Sequence, residues 1–520
     1  MAKKTSRKKT SRKKKRYINA QFLWLLSALA GAALLISFSL MEMFPGSWTL
    51  ILGGVLAVIL FVTLILSSRN QKSYAIKTVN LVLCGAMLVL AVLMPVYQNK
   101  ISDLFNIVTG NVSNINFYVI NEKYRAAHPE VFAESEVSSQ LSDHLNDLFI
   151  TSVTADAVNS ATAVSKVRED YGVDIQTTDR PSYLEALQAL YENEGDVLIM
   201  SASFEAMIAD NEEYEKFRND LKIIGTVQRE VENKIPQSSV TITKEPFIVF
   251  FGGNDEEGDL YLEGKTDVDM TVTVNPNTHQ IAIVSLPRDS YVDNPAFGYG
   301  DKLTHLGMQG IHNTLSGLGD YLGHEINNYF IINFTTFRNI INAIGGVDIY
   351  NEYEFTALDG QYFPEGMIHL EGEYALMFVR ERYSLPDGDF GRNYHQQQVM
   401  RAMIDKIASP EVIVHVDALL EALEGTFLTN LSSDSIYAFC RKQLEENIDW
   451  NIVNYHVIGD IDFAECASAP GMELSVVFPY PNQVEFVSQV MSDIINGEIV
   501  EQQELPYGSY YTETGEQNGW

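Results

Sequence analysis

Positive charge is scarce in most of this chain, and where it occurs it is patterned. Residues 101–520 carry 22 Lys/Arg against 67 Asp/Glu, and beyond Lys244 seven arginines occur: Arg288, Arg338, Arg380, Arg382, Arg392, Arg401 and Arg441. Arg380 and Arg382 flank Glu381, and on an extended segment alternate residues face one side. Arg392 and Gln396 are four apart on a predicted helix and share a face. The guanidinium is a planar fork that grips phosphate oxygens in pairs, so several arginines converging on one cleft would make an anion site in an acidic protein. Scattered surface ion pairs account for the same spacing equally well. Asp255, Asp259, Asp267 and Asp269 gather around Gly258 and Gly264. Carboxylates beside phosphate are what a hard cation such as Mg2+ or Mn2+ uses; a polar surface loop is the plainer alternative. There is no Walker A loop, HExxH, CxxC pair or Gly-x-Ser-x-Gly elbow, which argues against several common enzyme classes.

These side chains need a frame, and the pattern predicts an α/β one. FIVFF at 247–251 reads as a buried strand ended by Gly252 and Gly253. Residues 270–274 and 281–286 flank the turn signal Asn275-Pro276-Asn277 and form a hairpin. Pro287-Arg288-Asp289 follows it, at a strand end where α/β proteins place their sites. Strands at 329–334 and 347–350 enclose a helix at 337–343, closed by Gly345 and Gly346, and 389–408 is a long amphipathic helix. Upstream, 101–240 reads as a smaller α/β domain with strands at 116–120 and 196–200, a helix at 182–191 and a charged, solvated helix over 210–220. A linker at 234–237 separates the two, and the 501–520 tail reads as flexible.

Residues 1–100 are a different material. They hold 14 Lys/Arg and one acid, Glu42, with ten of the basic residues in the first 16. Apolar runs at 18–41, 49–67 and 76–97 each approach the ~20 residues that cross ~30 Å of hydrocarbon. The basic tail (1–17) should stay in the cytoplasm, the first connection, 42–47 with no Lys or Arg, outside, and the second, with Arg69, Lys72 and Lys77, inside. Three crossings then put everything after about residue 100 outside the cell membrane. The acidic body should repel nucleic acid. The three cysteines make no disulfide framework; Cys440 and Cys466 could pair if the compartment oxidises them.

Four ordered stretches carry a family resemblance: KTDVDMTVTVNPNTHQIAIVSLPRDSYV at 265–292, NNYFIINFTTFRNIINAIGGVDIY at 327–350, HLEGEYALMFVRER at 369–382 and DFGRNYHQQQVMRAMI at 389–404. Over about 244–500 the chain resembles the LytR-CpsA-Psr cell-wall glycopolymer ligases, most closely the capsule-type members with several membrane spans and an accessory domain. The resemblance implies a mixed sheet flanked by helices and a hydrophobic tunnel for a polyprenyl tail. It implies a pyrophosphate clamp of Arg288, Arg380, Arg382 and Arg392, assisted by Gln396 and Lys302, and a metal site on Asp255 and Asp267. It implies a reaction in which a glycan phosphate leaves a polyprenyl-pyrophosphate carrier for peptidoglycan, with Asp267 or Asp289 as base. Implied partners are the lipid-linked glycan, peptidoglycan, membrane lipid, and capsule or wall synthesis proteins. Lys265 and His395 stand where the family favours arginine, and Asn254 where an apolar residue is usual. A membrane-bound sensor of envelope synthesis and a polyprenyl-pyrophosphate hydrolase are the rival readings.

Overall fold

The computed structural model describes residues 19–41, 44, 46–106, 112–132, 140–143, 150–153, 156–209, 214, 216–231, 235, 237–254, 260–386, 388–409 and 427–508. Asp255, Asp259 and the basic tail before residue 19 lie outside them.

The first unit, residues 1–103 with 440–446, carries three long helices: α1 (Ala20–Ser39), α2 (Gly46–Arg69) and most of α3 (Tyr74–Asn106). Each is long and apolar enough to cross a membrane. Their outward side chains, such as Leu29 and Leu50, are exposed, as suits contact with lipid. Polar contacts tie them together: Ser27 Oγ donates to Asn80 O (2.7 Å), Asn80 Nδ2 to Ser67 Oγ (2.9 Å) and Trp24 Nε1 to Leu60 O (2.8 Å). Small and polar residues do this where water does not drive helix association.

The second unit carries two sheets. The smaller comprises β1 (Val112–Ile120), β2 (Ile150–Val153), β3 (Thr177–Arg180), β4 (Val197–Ser201) and β5 (Leu221–Glu230), in the order β3-β2-β4-β1-β5. Its helices are α4 (Glu122–Ala127), α5 (Ala157–Tyr171), α6 (Tyr183–Tyr191), α7 (Glu205–Ala209) and α8 (Phe217–Asp220). Ser182 caps α6 by accepting from Glu185 N, and Leu184, Leu187 and Leu190 are buried beneath it. Of the helix expected over 210–220, residues 210–213 and 215 lie outside the described ones; the described end forms α8, where Phe217 is buried in the core rather than solvated.

The larger sheet has the order β16-β11-β6-β7-β8-β17. Its region runs through β6 (Phe247–Asn254), β7 (Val268–Asn275), β8 (Gln280–Leu286), β9 (Tyr291–Asn294), β10 (Tyr299–Lys302), α9 (Leu303–Leu306) and α10 (Ile311–Leu322). Next come β11 (Asn328–Asn333), α11 (Phe334–Ala343), β12 (Val347–Asn351), β13 (Phe355–Thr356), β14 (Tyr362–Phe363) and β15 (Gly366–Leu370). It closes with α12 (Gly372–Arg380), α13 (Asp389–Ile407), β16 (Phe427–Thr429), α14 (Ser433–Glu446), β17 (Asn451–His456), β18 (Gly459–Cys466), β19 (Ala469–Pro479) and α15 (Pro481–Asn496). β6 runs parallel to β11 and antiparallel to β7, and β8 is parallel to β17, so the sheet is mixed and the class is α/β. One core packs Phe250, Ala282 and Val284 against α10 and α15; another packs α11, α12 and α13 together.

Three expectations are corrected. Gly252 and Gly253 do not end the strand: they pair with Asp269 and Val268 inside β6, where a Cβ on Gly253 would lie 2.9 Å from Val268 Cβ. Residues 501–508 are not free: Asn482 Nδ2 donates to Tyr507 O (2.7 Å), Gln483 Nε2 to Pro506 O (3.0 Å), and Asn454 N to Gln502 Oε1 (2.8 Å). Cys440 and Cys466 are separate free thiols, one exposed and one buried.

Candidate active site

The strand ends fix the site. β6 and β11 run parallel and finish in register at Asn254 and Asn333, and β8 finishes beside them at Leu286. Asn333 accepts from Thr336 N and starts α11 there. Asp267 enters β7 at this edge, its N–H donating to Gly253 O (2.7 Å). Asp269 pairs with Leu286, so Arg288 and Asp289 emerge next to both aspartates.

The charges interlock. Arg288 Nη1 donates to Asp267 Oδ1, and Lys265 Nζ lies 3.6 Å from the same oxygen. Lys302 Nζ is 3.0 Å from Asp289 Oδ1, and Arg288 Nε is 3.8 Å from Asp289 Oδ2. Burial pushes the Asp289 carboxyl up, but Lys302 and Arg288 outweigh it and hold it below its ordinary range. Asp269 is the reverse. Burial raises it to about 8, although Thr266 Oγ1 donates to it at 2.6 Å. Its Oδ2 is buried with no hydrogen-bond partner. A hard cation suits such an oxygen, so the donor chemistry of Asp267 and Asp269 fits Mg2+ or Mn2+. Among the described residues no three acidic, His or Cys side chains form a ready ligand set, and Asp255 is outside them.

Of the arginines in this region, Arg392 is the one whose charge reaches the cluster directly. Arg392, in the first turn of α13, is mostly buried; burial lowers its pKa, and its charge interacts with Asp389, Arg288, Asp267 and Arg382. Arg392 Nη2 is 2.6 Å from Asp389 Oδ1 but out of line for a hydrogen bond, and its Nε has no partner. Arg380 and Arg382 are not on one extended segment: Arg380 is the last residue of α12. Its guanidinium lies 4.7 Å over Phe334, and that of Arg382 lies 4.5 Å over Tyr383. Glu381 between them is a knot. It accepts from Leu358 N (2.9 Å), Arg382 N (3.0 Å) and Ser384 N (2.9 Å), which fixes the turn that splays the two arginines. That role was not readable from its type. Arg338 and Arg401 pair elsewhere, with Glu373 and Asp405.

Beneath Arg380 is an apolar cavity of about 50 Å3, walled by Val268, Met270, Phe334, Phe337 and Leu376, with Gln396 at its edge. Gln396 Nε2 donates to Val379 O (3.4 Å) and its Oε1 has no partner. A water-sized group takes about 30 Å3, so the expected tunnel is a nearly closed seam here. His395, placed where arginine was expected, joins the core instead: it stacks on Phe378 at 3.9 Å, and burial holds it down at about 4. Asp301, His305 and Ser468 have the composition of a hydrolytic triad without its geometry. Ser468 Oγ (2.8 Å) and Asp301 Oδ1 (3.0 Å) share one ring nitrogen, and all three residues are buried.

The LytR_cpsA_psr family model matches residues 213–462. The polyisoprenyl-teichoic acid–peptidoglycan teichoic acid transferase TagU of Bacillus cereus (strain AH820) is 35% identical over 225 residues, which are 43% of this chain and 73% of the relative. The chain belongs to the LytR-CpsA-Psr family. The TagU of Enterococcus faecalis is likewise 35% identical, over 41% of this chain and 70% of its own. Among solved structures, B. subtilis TagV aligns at 25% identity over 49% of this chain and 98% of its own, with a TM-score of 0.41. TagT bound to LIIa-WTA aligns at 22% over 50% and 94%, with a TM-score of 0.40. The LytR-CpsA-Psr match opens at residue 213, before β5, and so includes the last strand of the smaller sheet.

Proposed function

We propose that this protein moves a glycan phosphate from a polyprenyl-pyrophosphate carrier to peptidoglycan, leaving a phosphodiester link. One observation carries the reading: Arg288 pairs with Asp267 and Asp289, the charge of Arg392 reaches Arg288, Asp267 and Arg382, and Val268 and Gln396 beside them line an apolar seam, in a body that is otherwise strongly acidic. A site for a charged head with a long apolar tail has that form. Relatives named as teichoic acid transferases support it. A capsular polymer, a teichoic acid or another phosphate-linked glycan would meet the same clamp.

In this reading Arg288, Arg380, Arg382 and Arg392 grip the pyrophosphate, with Lys302 and Gln396 at its margin. Asp267 with Asp255 would hold a divalent cation, whose contribution when bound is to neutralise charge on the phosphate oxygens. A sugar hydroxyl of peptidoglycan attacks the phosphorus nearest the glycan. The new O–P bond forms, the bridging P–O bond breaks, and polyprenyl phosphate leaves with the bridging oxygen. The hydroxyl proton passes to Asp267 or Asp289; the Lys302 and Arg288 charges lower the proton affinity of Asp289 and so weaken it as a base. The three apolar helices anchor the protein in the membrane. The charge pattern around them argues for a cytoplasmic tail and an extracytoplasmic body.

The test is the purified full-length protein in detergent, given lipid-linked glycan and Mg2+ with and without peptidoglycan, with lipid products followed by mass. Polyprenyl phosphate together with wall-bound glycan upholds the ligase. Polyprenyl phosphate with only free glycan phosphate makes it a hydrolase, and tightly held, intact lipid makes it a sensor.

A further inference from the structure

The opposite face of α13 holds a second depression. Arg392 and Gln396 point one way on this helix; Tyr394, Gln398, Arg401 and Asp405 lie on the other side, along a groove of about 970 Å3. A further hollow of about 490 Å3 adjoins it, and the two share Tyr394 and His456 as walls. Together they run beside α13 from Lys406 back to Phe390, about 24 Å at the helical rise. Phe390 and Gly391 lie in the same first turn of α13 as Arg392, so the far end of the groove reaches the helix end from which Arg392 projects on the other face.

The lining is polar and has bonds to spare. Both ring nitrogens of His456 are buried without a hydrogen-bond partner, and the ring stands edge-on to Phe390 at 5.9 Å. Burial holds that imidazole near 4, so it is neutral and offers one donor and one acceptor. Gln398 spends its amide N–H on Tyr350 O (3.1 Å), and its Oε1 has no partner. Unmet polar groups of this kind destabilise the fold unless a ligand meets them. Tyr350 and Tyr394 present exposed rings along the same path. The negative face of an aromatic ring takes the weakly positive C–H edge of a pyranose. Charge narrows the ligand: Asp348, Glu352, Asp405 and Glu504 outnumber Arg401 and Lys406, so the groove disfavours a phosphate-rich polymer.

We propose that this groove seats the acceptor, a neutral, hydroxyl-rich glycan strand, and delivers its hydroxyl to the clamp at the Phe390 end. The assignment rests on the ligase reading above. It is tested with full-length protein in detergent, using soluble oligosaccharides cut from peptidoglycan as both binding probe and acceptor. A Tyr350→Ala/Tyr394→Ala double variant should raise the oligosaccharide Kd and the acceptor KM at least about tenfold and leave the donor KM in place. Gln398→Leu, which removes a hydrogen-bonding group without touching the rings, should shift the same two quantities and guards against a folding defect in the double variant. Acceptor constants equal to those of the parent protein would overturn the assignment, as would a donor KM that rises in step with the acceptor KM. A parent protein that binds oligosaccharide through these residues but transfers nothing to it would keep the groove and remove the ligase.

Discussion

Arg392 is held in a position that its own fold does not reward. Its side chain is mostly buried, its Nε has no partner, and Arg288 and Arg382 repel it; Asp389, at 2.6 Å, attracts it most and Asp267 less. An unmet buried charged donor costs about 1–3 kcal/mol, and an ion pair of the Asp389 kind returns at most about 1 kcal/mol. Arg392→Ala should therefore leave the fold as stable or more stable, by about 0–2 kcal/mol, which is a rise in Tm of up to about 8 °C for a domain of this size. The same change removes a donor aimed at the pyrophosphate. Loss of such a donor costs about 2–4 kcal/mol in the transition state, or a fall of about 30- to 1000-fold in kcat/KM. The assay is transfer from lipid-linked glycan to peptidoglycan, paired with thermal unfolding of the same preparation. Opposite signs in the two readouts are the signature of a residue kept for its ligand. A Tm that drops with the activity, or an activity within threefold of the parent, would refute the reasoning.

Three other outcomes are expected. Gly253→Ala should lower stability by about 1–3 kcal/mol, because its new methyl would meet Val268, and should also slow transfer by moving the oxygen that positions Asp267; adding Val268→Gly, which removes the Cβ it meets, should recover transfer, with stability read by melting and transfer by turnover. Phe334→Ala removes the ring beneath Arg380 and one wall of the apolar seam, so it should raise KM for a long-tailed donor about tenfold and leave a short-tailed donor little changed. Asp156, buried beneath α5, is pushed up to about 7 by burial, despite hydrogen bonds from Tyr183 and Asn159. Its folded pKa lies above its unfolded value, so its stabilisation is complete below about pH 4 and is lost as the pH rises to about 7, by up to about 4 kcal/mol. Protection factors at the β4 amides, which discount the intrinsic rise of exchange with pH, should fall across that window, and Asp156→Asn should flatten the trend.

The sequence carried the frame well because the frame is written in local signals. The Asn275 turn, the Gly345-Gly346 stop and the leucine stripe of α6 each depend on a few neighbouring residues, and the corresponding hairpin and helices are present. The convergence of Arg288 with Arg392 was different. It joins a strand end to a helix that begins 101 residues later, and only the four-block resemblance could link them. Glu381 shows what charge and spacing hide: a carboxylate between two arginines was free to be a partner for either, yet it is consumed by backbone N–H groups. Tertiary packing also overrode pattern at Phe217, where one apolar residue in a charged run found a core to enter. The groove beyond α13 was unreadable for a similar reason. Its walls come from β12, α13, β17 and a C-terminal strap, and no single window contains them.

The smaller sheet does not stop at its own border. Arg229 at the end of β5 grips both carboxylate oxygens of Glu263 at 2.6 and 2.7 Å, and Met308 and Ala469 from the larger region are buried within the core of α6 and β4. Anyone cutting this chain for expression will meet that seam. A fragment begun near residue 244 would strip the cover from Met308 and Ala469 and leave Glu263 without its arginine, inviting aggregation on a face that the intact protein keeps closed. The natural cut lies upstream, before β1, so that both sheets leave the ribosome and fold as neighbours.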